Sequence, residues 1–86
     1  MSEACKMKLT AANDHTTKLV CVLNDPTLSF EAKGIYVHLN QTFRGNEEIE
    51  LKYICEQQPD QTEDAIWRVV NSLRELSAAG YIEAID

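Results

Sequence analysis

"DQTEDAIWRVVNSLRELSAAGYI", residues 60–82, is the stretch that decides the fold of this chain. Asp60 or Thr62 can cap a helix, and the carboxylates that follow suit the positive end of the helix dipole. Gly80 is the residue type expected where a helix ends in the left-handed conformation. The stretch therefore predicts one long helix that stops at Gly80 and leads into a strand at Tyr81 and Ile82.

The apolar residues of this helix recur at helical spacing. At about 100° of rotation per residue, they form one stripe that we expect to face the core. The members of the stripe are Ile66, Val69, Val70, Leu73 and Leu76. The opposite, solvent-facing side carries Asp64, Asn71 and Glu75, flanked by Trp67 and Arg68.

Trp67 has two interpretations. It lies off the apolar stripe, and an exposed tryptophan often anchors a protein interface. Alternatively, its ring folds over the rim of a small core, against Tyr81, because tryptophan is seldom fully exposed. The spacing of residues does not decide between the two.

Shorter elements are expected before this helix. Ser29 is a suitable N-cap for a helix over residues 30–41. Gly34 inside that helix costs about 1 kcal/mol relative to alanine and suggests close approach of another backbone. Residues 49–57 begin as an extended pair and continue as a short helix before Pro59, and residues 44–46 form a turn. For residues 19–23, strand and helix both remain open.

The first 18 residues differ in character from the rest. They are predicted to form a polar N-terminal arm, with a possible edge strand in the alternating patch at residues 6–10. Residues 19–86 are expected to form the folded domain. At 86 residues, the chain has room for one small domain with a modest core.

Charge constrains the choice of partner. Eight Lys and Arg oppose fourteen Asp and Glu, for a net charge of −6. DNA binding draws affinity from cations that replace phosphate counterions. A chain this acidic must therefore gather its cations on one face or bind something other than DNA. A single negative patch is one possibility, if residues 47–50 join the carboxylates of Glu56, Asp60, Glu63 and Asp64.

Other classes of protein are disfavoured. The longest apolar run, residues 19–23, is too short to span a bilayer, so we expect no membrane partner and a cytoplasmic location. The three widely spaced cysteines predict reduced thiols, with Cys21 and Cys55 buried. Neither histidine stands in a catalytic or metal-binding pattern. We predict no enzymatic activity, no cofactor and no metal.

The order helix, short helix, turn, long helix and strand describes a helix-turn-helix followed by the start of a wing. "DPTLSFEAKGIYVHL" and "DAIWRVVNSLRELSAAGYI" resemble the winged-helix domains at the N-terminus of phage and plasmid replication initiator and replisome-organiser proteins. The resemblance covers residues 19–82. It implies a mostly α (α+β) fold, a compact winged helix-turn-helix with a minimal two- or three-stranded sheet.

The resemblance also implies contact with double-stranded DNA through the second helix of the motif, in the cytoplasm of a bacterial host. Carried over residue by residue, the contacts are Gln61, Thr62, Arg68 and Asn71, with Lys52 and Arg74 on phosphates. The chain departs from the pattern because the wing is truncated. The patch at residues 6–10 would have to supply its partner strand.

Two functions follow. One is a small DNA-binding protein of a phage or mobile element, in replication or transcriptional regulation, for which a homodimer is one expected form. The other is an acidic winged-helix protein that binds a host or phage protein through Asp64 and Trp67, for example as a DNA mimic that inhibits a nucleic-acid machine.

Overall fold

A computed structural model of the chain describes residues 6–10, 15–43 and 47–85, with the backbone alone for residues 15 and 16. The predicted mostly α, α+β class is confirmed: four helices accompany a small three-stranded antiparallel sheet. The elements are β1 (Lys6–Leu9), α1 (His15–Leu23), α2 (Phe30–Thr42), β2 (Ile49–Glu50), α3 (Leu51–Glu56), α4 (Glu63–Ala78) and β3 (Ile82–Ile85). The expected turn at residues 44–46 and the first five residues lie outside the described ranges.

Helix α4 has the ends that its sequence predicts. Thr62 is the N-cap, and its hydroxyl accepts a hydrogen bond from the backbone N–H of Ala65 at 3.3 Å. At the other end Gly80 has a φ of 86°, in the left-handed region. The N–H of Tyr81 donates to the carbonyl of Leu76 at 2.9 Å, which satisfies a carbonyl of the last turn as in a Schellman motif.

The buried stripe of α4 is rotated slightly from the predicted one. Val69, Leu73 and Leu76 are buried as expected, whereas Ile66 and Val70 are half-buried. Ala65 and Ser72 are buried in addition. The rotation follows from the position of α2, which is the main neighbour of α4 and lies on the side of these two small residues.

The sheet places β1 in its centre. Strand order is β2-β1-β3, and β1 is antiparallel to both neighbours. The prediction of an edge strand at residues 6–10 is therefore wrong, whereas the expectation that this patch supplies a partner for the strand after Gly80 is confirmed. Met7 and Leu9 are buried in the common core, so β1 is integral to the domain.

Residues 19–23 are helical, as part of α1. Val22 is fully buried, whereas Cys21 is exposed and Cys55 is half-buried. The prediction that Cys21 and Cys55 are both buried is therefore wrong, because α1 turns Val22 into the core and leaves Cys21 exposed, while Cys55 is only partly covered. Burial raises the pKa of the Cys55 thiol.

Helix α2 begins at the predicted N-cap, where the Ser29 hydroxyl accepts from the N–H of Ala32 at 3.1 Å. The expectation of a close backbone contact at Gly34 is wrong. A Cβ placed there would have no neighbouring atom within 4 Å. Gly34 instead borders an open cleft.

The connection between α1 and α2 is tied to the start of β3. The Asp25 carboxylate accepts hydrogen bonds from the Thr27 hydroxyl at 2.6 Å and the Thr27 N–H at 2.8 Å. It also accepts from the Tyr81 hydroxyl at 3.0 Å. The bonds from Thr27 are the main reason that the pKa of Asp25 lies below its usual value.

Within the described ranges, no helix has both the length and the apolar character that crossing a bilayer requires.

Candidate macromolecular interface

The side of α4 turned away from the core exposes Asp64, Trp67, Asn71 and Arg74, which we call the outward face. Trp67 is 52% exposed, and the guanidinium carbon of Arg74 lies 6.0 Å from its ring centroid. This distance is within the range of a cation–π contact. The outward face therefore presents an aromatic ring with a cation over it, close to the middle of the helix.

Tyr81, the expected neighbour of Trp67 in the core-rim interpretation, packs elsewhere. Its ring meets the Tyr36 ring edge-on at 5.9 Å, and the ammonium of Lys18 lies 5.7 Å from its centroid. The prediction of a contact between Trp67 and Tyr81 is wrong, because Tyr81 follows the last turn of α4 whereas Trp67 lies in the second.

Two predicted contact residues support the turn between α3 and α4. The Gln61 side-chain amide donates to the backbone carbonyl of Cys55 at 3.1 Å and also to that of Gln58. Thr62 caps α4, and its own N–H donates to the Asp60 carboxylate at 2.9 Å. This bond is the first cause of the lowered pKa of Asp60. Both side chains are exposed, yet each has a structural role.

Two charged residues of α4 point toward α2. Arg68 pairs with Glu31 through Nε, at 3.2 Å from Oε2. Glu75 is half-buried and accepts a hydrogen bond from the backbone N–H of Ser29 at 2.7 Å. The expectation that Glu75 faces solvent is therefore wrong, because the N-terminal amides of α2 need acceptors and a carboxylate suits that end of the helix dipole.

Lys52 is exposed on α3. Along the chain, the same helix lies between two groups of acidic residues. Glu50 is the N-cap of α3 and Glu56 is its last residue, so residues 47–50 and the carboxylates of the α4 N-terminus lie at opposite ends. Six residues span about 9 Å of helix. Glu48, in the first group, pairs with Lys6 at 3.3 Å. The two groups of carboxylates are therefore separated along the chain by α3, and a lysine offsets the charge of Glu48 in the first group.

A groove of about 330 Å³ runs beside the outward face, between α4 and one end of the sheet. Its apolar lining comes from four elements, α4, α3, β1 and β3. The lining residues are Lys6, Met7, Leu51, Val70, Leu73, Arg74, Ser77, Ile82 and Ala84. Arg74 belongs both to this groove and to the outward face, so the two form one continuous surface.

A second hollow, of about 340 Å³, lies between α2, α3 and α4. Gly34 and the buried Ser72 contribute to its wall. The Arg68–Glu31 pair lies at this cleft, and so does His38, whose Nε2 is 3.1 Å from the Tyr53 hydroxyl. The charged residues that line this cleft, Glu31 and Arg68, have opposite signs and pair with each other, whereas those that line the groove are both cations.

Neither residue types nor geometry indicate a metal centre in the part of the chain that the structure describes. No group of three or more His, Cys, Asp or Glu side chains there is arranged to hold an ion. Neither a protein-family model, nor a curated protein, nor a solved structure matches this chain.

The sequence predicted part of the outward face and did not predict the groove. Asp64, Trp67 and Asn71 are exposed as expected, whereas Arg68 and Glu75 turn toward α2 and Arg74 was named only as a phosphate contact. Val70 was assigned to the core, yet it is half-buried and lines the groove. Val70 lies three residues after Trp67 and four before Arg74, so helical spacing places it next to both of these exposed residues. That spacing was a signal available in the sequence. Lys6 could not be found in this way, because only the pairing of β1 with β3 brings it there.

Proposed function

We propose that this chain binds another protein through the outward face of α4, with Trp67 as the central contact. The observation that carries the proposal is the exposure of Trp67 at 52%, on a helix whose other side is buried. Tryptophan and arginine are the residue types most enriched among side chains that dominate protein interfaces. Arg74 is exposed beside Trp67, with its guanidinium carbon 6.0 Å from the ring centroid.

The polar groups around Trp67 favour a protein over DNA. Glu63 and Asp64 occupy the first turn of α4, the part of such a helix that enters a phosphate-lined groove, and carboxylates there repel phosphate. Arg68, which the resemblance assigns to DNA, forms an exposed and therefore weak pair with Glu31 at 3.2 Å, which places one more carboxylate beside this helix. Gln61 and Thr62 are engaged in the turn and the cap.

The test compares two exposed aromatic residues. Phe30 is 88% exposed on α2 and lies under the ammonium of Lys33, much as Trp67 lies under Arg74. Immobilised wild-type protein, Trp67→Ala and Phe30→Ala are each exposed to bacterial host extract. A protein retained by the wild type and by Phe30→Ala, and weakened on Trp67→Ala by about 30-fold or more, supports the proposal. Equal retention by all three variants contradicts it.

Binding of double-stranded DNA is the second candidate function, and the arrangement of the elements favours it. α3, a short turn and α4 follow one another as in a helix-turn-helix, and β1 gives β3 the partner strand that a wing requires. Together with the sequence resemblance, this supports a winged helix of a phage or mobile element that acts in replication or regulation. Asn71 would read bases, with Lys52 and Arg74 on phosphates and a homodimer compensating for weak binding by one module.

One titration tests this second candidate. Trp67 is the only tryptophan, so its fluorescence can be followed as random duplex DNA is added at low salt. DNA binding predicts a change whose midpoint weakens by about 0.9 log units per tenfold rise in salt for each phosphate contacted. An unchanged spectrum at micromolar DNA rejects the DNA function.

A further inference from the structure

We propose that the groove beside α4 is the docking site for an apolar segment of a partner protein that carries carboxylates. The inference rests on the proposed function and deepens it, because Arg74 joins the groove to the outward face. It names the chemistry of the partner, which the exposure of Trp67 alone leaves open.

The charge of the groove is opposite to that of the chain. The protein carries a net charge of −6. Yet the charged side chains that line the groove, as far as the chain is described, are the cations Lys6 and Arg74. Lys6 also lies 3.3 Å from Glu48, which offsets much of its charge, so the preference for an acidic segment over a basic one depends mainly on Arg74. Such complementarity selects partners by excluding like charges.

The walls of the groove are apolar, with Met7 and Ile82 from the sheet, Leu51 from α3, and Val70 and Leu73 from α4. Its volume of about 330 Å³ is at the small end of the range for ligand pockets, which is about 300–1,000 Å³. That size suits one or two aliphatic side chains. An amphipathic helix that inserts such side chains and flanks them with carboxylates matches both the walls and the cations.

Both cations can be reached by an incoming carboxylate. Arg74 is exposed, and its guanidinium carbon lies 6.0 Å from the Trp67 ring centroid, so a partner carboxylate can approach its N–H groups for a bidentate contact. Lys6 pairs with Glu48 at 3.3 Å, and the two side chains are 40% and 55% exposed. An exposed pair of this kind contributes only about 0–1 kcal/mol, so a partner carboxylate can replace Glu48.

The test uses two synthetic amphipathic helical peptides labelled with a fluorescent dye. One has leucines on one side and glutamates on the other, and the second has lysines in place of the glutamates. Binding to the full chain is followed by fluorescence anisotropy. We expect the glutamate peptide to bind, to weaken as salt is raised, and to bind more tightly than the lysine peptide.

Matched variants locate the contact. Arg74→Gln should weaken the glutamate peptide by about tenfold or more, and Lys6→Gln by about two- to fivefold. Lys18→Gln and Lys33→Gln, which remove cations that lie over Tyr81 and Phe30, should leave binding unchanged. Val70→Glu, at a half-buried position, should abolish binding while circular dichroism shows a folded protein.

The remaining outcomes overturn the inference. Failure of the glutamate peptide to bind, or equal loss in the Lys18 and Lys33 variants, rejects the groove as the site. If the lysine peptide binds instead and Trp67→Ala abolishes its binding, the outward face contacts a basic partner, so the proposed function stands while this inference fails. Duplex DNA that binds with the same dependence on Arg74 rejects both.

Discussion

The two sides of α4 differ in a way that hydrophobicity alone does not explain. On the core side Val69 and Leu76 are almost completely buried, and so is the polar Ser72. On the outward side Trp67, the largest side chain of the helix, is 52% exposed. Position relative to α2 decides burial, because a helix can turn only one side toward its neighbour. The core and the proposed binding surface therefore lie on opposite sides of one helix, and substitutions can separate their effects.

The largest expected effect is on the core side. Leu76→Ala removes a fully buried side chain, and the lost contacts together with the cavity should lower the free energy of unfolding by about 2–5 kcal/mol. Urea denaturation followed by circular dichroism measures the change.

Trp67→Ala is the matched substitution on the outward side. It loses partly exposed surface and the contact with Arg74, so its cost should be about 1 kcal/mol or less. A loss as large as that of Leu76→Ala would show that the indole is part of the core, and the contrast between the two sides would be lost.

An intermediate loss of unfolding free energy is expected from a substitution at the C-terminal end of α4. Gly80 has a φ of 86°, and an alanine in the left-handed region costs about 1–2 kcal/mol. Gly80→Ala should lower the free energy of unfolding by that amount, whereas Gly80→Asn should lose less, because asparagine tolerates this conformation. Equal losses of unfolding free energy in Gly80→Ala and Gly80→Asn would mean that a clash of the added side chain, and not the left-handed backbone, causes the destabilisation.

A smaller effect of opposite sign is expected in α2. No atom lies within 4 Å of a Cβ placed on Gly34, so alanine should stabilise the helix by about 0.5–1 kcal/mol. Thermal or urea unfolding measures the gain. If Gly34→Ala instead destabilised the protein, another part of the chain would have to lie in the cleft between α2 and α4. The buried side of α4 would then be larger than described.

The smallest effect concerns the contact that holds β3 after α4. The pKa of Asp25 lies below the usual 3.8, so its hydrogen bonds stabilise the fold when the carboxylate is ionised. That contribution is present above about pH 4 and is lost as the pH falls through the lowered pKa. Asp25→Asn should therefore show a smaller fall in unfolding free energy on acidification than the wild type.

Thr27→Val removes one of the donors to Asp25 and retains the backbone bond, so its acid dependence should be intermediate. An acid dependence identical in all three proteins would show that the carboxylate does not stabilise the start of β3.

Local chemistry predicted the parts of the fold that depend on near neighbours in the sequence. Ser29 and Thr62 are caps because a hydroxyl lies three residues before the N–H that it accepts from. Residues 6–10 were placed at a sheet edge because period-two alternation indicates a strand without indicating its neighbours. Glu75 was placed in solvent because a helical wheel of α4 contains no information about the N-terminus of α2.

In the candidate site, too, features of a single helix could be predicted, whereas contacts between distant elements could not. Trp67 was expected outside the core because helical rotation places it off the apolar stripe, whereas Arg74 was named only through the resemblance, as a phosphate contact. The groove was not found, since it needs Lys6 and Ile82 beside Val70, and those residues meet only through strand pairing across most of the chain.

The amino-acid sequence by itself determined that α4 ends before Gly80 and that Asp64, Trp67 and Asn71 face away from the core, because capping and helical rotation act over a few residues. Only the tertiary structure decided that β1 lies in the middle of the sheet and that Arg68 and Glu75 turn toward α2. It also placed two cations of an acidic chain beside one apolar groove, because those contacts join residues that are distant in sequence.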